Sequence, residues 1–266
     1  MVNLKARILD ADRSGVIVLG GLLGVGKTTL AAQLAHDSAI VNHFHDGVLW
    51  AGLGQKPNLS LALDQWALAL GVSADDVVNA VDMAACVTAV RRQLAPRRAL
   101  LIIDDAWTAD DVRTLLVGGP QCLHLVTTRR PDLITALPEA EFFPVRELTD
   151  DDGLKLLEQL APLAVKTERQ QAQELAQLVG GLPLALVLMG KYLWQKSHSG
   201  QRRRIRQAIN ELRNAEQRLR LEMGQSMLSL TSGVLPDAPL SLIASIRVSE
   251  EALDVNGRSA LRALAI

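Results

Sequence analysis

The sequence predicts an α/β fold, a parallel sheet with helices on both faces, followed by an all-helical region. Three observations predict it. Largely apolar runs of strand length recur at residues 16–19, 47–53, 99–104, 123–128 and 142–145. Runs without polar alternation suit strands buried on both faces. Between most of these runs lie stretches with apolar residues at helical spacing, the alternation that builds parallel sheets. After Leu148 the strand runs stop and only helical patterns continue, to about Met223.

Taken in order, residues 4–9 read as a short helix. The run 16–19 ends in Gly20-Gly21, and residues 28–36 then carry Leu30, Ala31, Leu34 and Ala35 at helical spacing. This is strand, glycine loop, helix. Two helices are expected after the second strand, at about 60–70 and 82–94. The latter has Met83, Cys86, Val87, Val90 and Leu94 on one face. Strands 99–104, 123–128 and 142–145 complete the sheet. Thr149 followed by Asp150, Asp151 and Asp152 reads as a helix start, a hydroxyl cap with acidic residues at the positive end of the dipole. The clearest later helix carries Ile205, Ala208, Ile209, Leu212, Ala215 and Leu219 on one face. Residues 197–200 read as a polar turn between helices. Pro236 and Pro239 mark a break before a last helical stretch from Leu240. The chain stops at Ala265-Ile266 in an apolar stretch without a stop signal, and so reads as a piece of a longer protein.

Composition narrows the function classes. Of 266 residues, 48% are hydrophobic and 21% charged, which suits a core-forming chain rather than a disordered one. A formal net charge of −1 argues against general nucleic-acid binding, which needs excess Lys and Arg. Cys86 and Cys122 fit neither a metal-ligand spacing nor a disulfide framework, and point to a reducing compartment. There is no signal-peptide run and no stretch of about 20 apolar residues. The expected setting is cytoplasmic, with no membrane partner.

Residues 21–28, Gly-Leu-Leu-Gly-Val-Gly-Lys-Thr, fit G-x-x-x-x-G-K-S/T at every fixed position. Phosphates need this pattern because glycines let successive backbone N–H groups turn inward towards anionic oxygens. The helix that follows points its positive end at the same place. Lys27 reaches the β- and γ-phosphates, and the Thr28 hydroxyl ligates magnesium. The nucleotide-binding set is Gly21, Gly24, Val25, Gly26, Lys27, Thr28 and Thr29. The flanking strand and amphipathic helix set this apart from a chance glycine turn.

Residues 100–105, Leu-Leu-Ile-Ile-Asp-Asp, end a buried strand in two carboxylates. Ligands of open parallel sheets lie beyond the carboxyl ends of the strands. Asp104 is therefore expected to hold the magnesium with Thr28, and Asp105 to orient or activate an attacking water. The bland alternative is a polar turn at a strand exit. Residues 123–129 end another strand in Thr127-Thr128-Arg129, which places Arg129 near the γ-phosphate. Arg130 is a competing candidate, and both could be ordinary loop arginines. Gly180-Gly181-Leu182-Pro183 reads as a helix stop followed at once by a helix start. Nothing in its physics ties it to a nucleotide.

Four stretches stand in order: Gly-Val-Gly-Lys-Thr-Thr, Leu-Ile-Ile-Asp-Asp-Ala-Trp, Val-Thr-Thr-Arg and Gly-Leu-Pro-Leu-Ala-Leu. Together they resemble the NB-ARC family of STAND signal-transduction P-loop NTPases, which includes the nucleotide-binding cores of animal apoptosis activators and plant disease-resistance proteins. The resemblance covers almost the whole chain, residues 4–266. It implies a P-loop nucleotide-binding domain at 1–148, an all-α helical bundle at 149–235 and the start of a winged-helix domain at 236–266. It also implies ADP in a closed resting state and ATP in an active, self-associating state, with magnesium and slow hydrolysis. Pro183 would contact the base or ribose, with Val187 one turn later nearby. Two departures stand out. An upstream Gly-Arg-Glu-type segment and a Met-His-Asp-type motif are both absent from these residues.

The remaining features read blandly. His43 and His45 flank Phe44 but supply only two ligands, so a surface loop is expected. Arg202, Arg203, Arg204 and Arg206 read as the solvated side of a helix. Trp50, Trp66, Trp107 and Trp194 read as packing residues. Two other functions compete with the switch, a continuously cycling ATPase of the AAA+-like type and the nucleotide-binding module of a transcription regulator.

Overall fold

The computed structural model describes residues 2–10, 15–73, 83–197 and 200–229, with side chains followed as far as Ala215. It divides into two compact units. The first takes in residues 1–21 and 26–145, the second residues 22–25 and 146–266. The expected winged-helix segment, 236–266, lies outside the described residues.

The first unit is built on a five-stranded sheet. Its strands are β1 (Gly15–Gly20), β2 (Val48–Gly52), β3 (Leu100–Ala106), β4 (Leu123–Thr128) and β5 (Glu141–Pro144). Their spatial order is β2-β3-β4-β1-β5, and every pair is parallel. All five expected strands are present. The order matters for function because β4 lies between β1 and β3. The glycine loop after β1, the carboxylates at the end of β3 and the hydroxyls and arginine after β4 therefore emerge along one edge.

Alternate residues of the central strands face opposite ways, and both faces are covered. Val18, Leu101, Ile103 and Val126 pack with helices α4 (Leu59–Ala69), α5 (Met83–Leu94) and α6 (Ala109–Leu115). Ile17, Leu19, Ile102 and Leu125 pack with α1 (Val2–Leu9), α2 (Lys27–Ala35) and α3 (Ser38–His43). This double burial is why the strands carry no polar alternation. A short α7 (Pro131–Ala136) follows β4, with Pro131 in its first turn. On α5, Cys86, Val90 and Leu94 are buried, but Met83 is exposed, so the expected apolar face is one residue shorter at its start.

The second unit is helical: α8 (Asp150–Leu160), α9 (Pro162–Thr167), α10 (Arg169–Leu178), α11 (Pro183–Ser197) and α12 (Arg202–Ser229). Thr149 caps α8 as its sequence suggests, its hydroxyl accepting the Asp152 N–H at 3.3 Å. Gly180 and Gly181 both adopt left-handed φ, 60° and 68°, between α10 and α11. At Gly181 the requirement is also steric, since a Cβ there would clash with the Leu148 carbonyl oxygen. Ile205, Ala208, Ile209 and Leu212 form the buried face of α12. Two expectations need correction. Arg202 and Arg206 are not merely solvated, because both pair with Glu168, whose side chain is 2% exposed. Burial drives that carboxylate to collect cations, and their hydrogen bonds hold its pKa down despite the desolvation. Trp194 is half-exposed and cannot be a core residue.

Candidate functional site

The site begins where β1 stops. Gly26 sits at the N-cap of α2 with φ 98°, a backbone that side chains rarely adopt, and no side chain caps the helix. The positive end of α2 thus opens on the glycine loop, as a phosphate loop requires. Gly24 is likewise left-handed, with φ 77°. Val25 is buried and donates its N–H to the Leu22 carbonyl at 3.3 Å, which closes the loop on itself. Thr28 and Thr29 are exposed on the first turn of α2.

Lys27 is buried, and its Nζ donates to the Gly21 carbonyl at 2.8 Å. Burial lowers its pKa first, and the nearby Arg129 charge lowers it further, while Asp105 and Asp104 oppose both. An ammonium that has lost water and faces another cation is poised for an incoming anion.

Next to it, Asp104 leaves the end of β3. Its Oδ1 accepts the Thr28 hydroxyl at 2.8 Å and the Thr127 hydroxyl at 2.6 Å. A hydroxyl and a carboxylate at hydrogen-bonding distance are the hard oxygen donors that magnesium takes from a protein when phosphates and water supply the rest. Among the described residues no cluster of three His, Cys, Asp or Glu could hold a metal.

Asp105 is the one non-glycine residue with positive φ among the described residues, 52°. The pairing of β3 with β4 slips between Ile103 and Ala106, and this irregularity re-aims Asp105. Thr127 stabilises the turn by accepting the Asp105 N–H at 2.9 Å. The carboxylate is then engaged on both oxygens. Arg129 donates from Nε and Nη2 to Oδ1 at 3.4 and 3.3 Å, and Trp107 donates its indole N–H to Oδ2 at 3.3 Å.

The two candidate arginines separate. Arg129 lies against Asp105 and over the Trp107 ring, whereas Arg130 turns outward to Asp132. The sequence reading missed Thr127 and Trp107 as site residues. Thr127 was visible as a hydroxyl at a strand end, but its use as a bridge between Asp104 and Asp105 depends on the β3–β4 register. Trp107, expected in packing, instead stacks on a cation.

In the second unit, Pro183 opens α11 and Val187 lies one turn on, both partly buried. The neighbouring Leu184 N–H, left without a partner inside the helix, donates to the Gly24 carbonyl at 3.1 Å within the same unit. The Gly-Leu-Pro-Leu turn is thus hydrogen-bonded to the crest of the glycine loop, a link that its sequence did not announce. His43 ends α3 rather than lying in a loop, and meets the Arg98 guanidinium at 2.8 Å.

Comparison with known proteins decides what this arrangement is. The model of the NB-ARC domain matches residues 1–165, well over half of the sequence. The chain belongs to the NB-ARC family. Regulatory protein AfsR of Streptomyces griseus is 31% identical over 193 residues, 70% of this chain and 19% of that protein. Disease resistance RPP8-like protein 3 of Arabidopsis thaliana is 25% identical over 215 residues, 78% of this chain and 24% of that protein. The chain thus spans about a fifth to a quarter of the length of these relatives. The solved structure of the Aeropyrum pernix ORC1 protein in complex with DNA covers 95% of this chain and 77% of its own, with a TM-score of 0.51 at 14% identity. That likeness is one of fold alone. The glycine loop and the residues around it are thus the nucleotide-binding core of an NB-ARC domain. No helix among its described residues is long and apolar enough to cross a membrane.

Proposed function

We propose that this NB-ARC chain is the ADP/ATP switch of a larger cytoplasmic signalling protein, with slow magnesium-dependent hydrolysis and self-association of the whole protein in the ATP state. The observation that carries the reading is the meeting of Lys27, Thr28, Asp104, Asp105 and Arg129 at the carboxyl edge of β1, β3 and β4. The loop N–H groups and Lys27 would bind the phosphates common to both nucleotides. Thr28 and Asp104 would hold magnesium, which when bound neutralises charge on the outer phosphates. Arg129 would meet the γ-phosphate and so tell ATP from ADP. Asp105, freed of Arg129, would orient the attacking water. Pro183 and Val187 would contact the base or ribose and carry the nucleotide state to the helical bundle, residues 149–235, and on to a winged-helix segment beginning at 236.

A switch and a cycling ATPase differ in how long they keep their nucleotide. The experiment is to denature the purified protein, identify the released nucleotide by chromatography, and measure steady-state hydrolysis in parallel. A switch should release close to one ADP or ATP per chain and turn over far more slowly than the roughly 10 per second typical of enzymes. An empty protein with sustained turnover near that rate would favour the cycling reading.

A further inference from the structure

The Asp105–Arg129 pair has a third member. The Arg129 Cζ lies over the Trp107 ring, 4.6 Å from its centroid, while the Trp107 indole N–H donates to Asp105 Oδ2 at 3.3 Å. One side chain therefore meets both charges through different surfaces, the π face for the cation and the N–H edge for the anion. A guanidinium likewise stacks through its face and hydrogen-bonds through its edge. Stacking on indole fixes where Arg129 sits without using any of its N–H donors. Those donors now point at the Asp105 carboxylate, an anion held by the unusual φ of 52° and by Thr127. A second anion at the strand end can compete for the same edge while the stacked face stays in place.

We propose that Trp107 is a positioning residue, a platform that holds the Arg129 guanidinium so that its N–H edge can exchange Asp105 for the third phosphate of ATP. The proposal rests on the assignment of Arg129 to the γ-phosphate. Without the platform Arg129 must be ordered at the moment of binding, and only ATP binding suffers. The size of a cation–π contact sets the expected loss at about two- to thirtyfold in ATP affinity.

The test is a set of affinities for a non-hydrolysable ATP analogue and for ADP, at fixed magnesium and salt, in wild type, R129A, W107L and W107F. R129A and W107L should each lower the ratio of ATP to ADP affinity with ADP affinity held, whereas W107F, which keeps an aromatic face, should retain most of it. A collapsed ratio in R129A with an unchanged or raised ratio in W107L overturns the platform alone. Equal losses for both nucleotides in W107L overturn it too, because Trp107 would then support the shared site. An unchanged ratio in R129A removes the Arg129 assignment, and the platform with it. If W107L does not fold, indole fluorescence decides. Wild type should change emission with the ATP analogue more than with ADP, and W107F should lose that difference. Equal responses in wild type, or a full difference in W107F, contradict the proposal.

Discussion

At the scale of single residues, the two adjacent carboxylates do different work because the β3 irregularity turns them apart. Asp104 faces hydroxyls and Asp105 faces a guanidinium and an indole. Asp104→Asn keeps an acceptor for Thr28 and Thr127 but loses the charge that magnesium needs. The magnesium-dependent tightening of ATP binding should fall at least about tenfold, a loss seen even when groups one step removed from a metal are changed. Titration calorimetry with and without magnesium reads this, and equal tightening in the variant would remove Asp104 from the metal. Asp105→Asn should instead keep or tighten ATP binding, since Arg129 loses the anion that competes with the third phosphate, and slow single-turnover hydrolysis by roughly 10²–10⁴-fold, the usual contribution of a positioned base. A wild-type rate in that variant would take the water-orienting role away. Burial and the Arg129 charge both work against the Lys27 ammonium, and the phosphates of a nucleotide would relieve both.

At the scale of elements, two local devices make separate predictions. Thr149 caps α8, and Thr149→Ala should cost about 1 kcal/mol of stability. Urea unfolding checks this, and an unchanged midpoint would mean the cap contributes nothing. His124 lies buried in β4, where its Nε2 accepts the Gly118 N–H at 3.2 Å. Burial pushes its pKa down from 6.5 to about 4, opposed in part by a backbone hydrogen bond at Gly15. The unfolded chain therefore binds this proton more readily than the folded one. Stability from His124 is complete above pH 6.5 and is lost as pH falls from there towards 4. Between pH 6.5 and 5 the loss should be about 1.6 kcal/mol. His124→Gln offers a neutral acceptor to Gly118, so its unfolding midpoint should vary less across that window. A variant with the same pH slope as wild type would place the titration elsewhere.

At the scale of the whole molecule, what could be read from the sequence was whatever depends on local pattern. The central strands were legible because double burial leaves nearly uninterrupted apolar runs, and the glycine loop because its backbone requires residues such as Gly26 at φ 98°. The short helices α3, α6 and α7, of six or seven residues, were not, because they span too few turns to show a period. Contacts between distant residues were also invisible, among them the Thr127 bridge, the Trp107 stack, and Arg202 and Arg206 on Glu168. The central claim remains that this chain binds nucleotide through its glycine loop. Its most direct test is calorimetric titration of ADP and a non-hydrolysable ATP analogue into wild type and Lys27→Ala, at fixed magnesium. At ligand one hundred times its dissociation constant, wild type should gain about 2.7 kcal/mol of stability, and the variant almost none. The account predicts that binding of both nucleotides is lost or greatly weakened in Lys27→Ala, and affinities equal to wild type would contradict it.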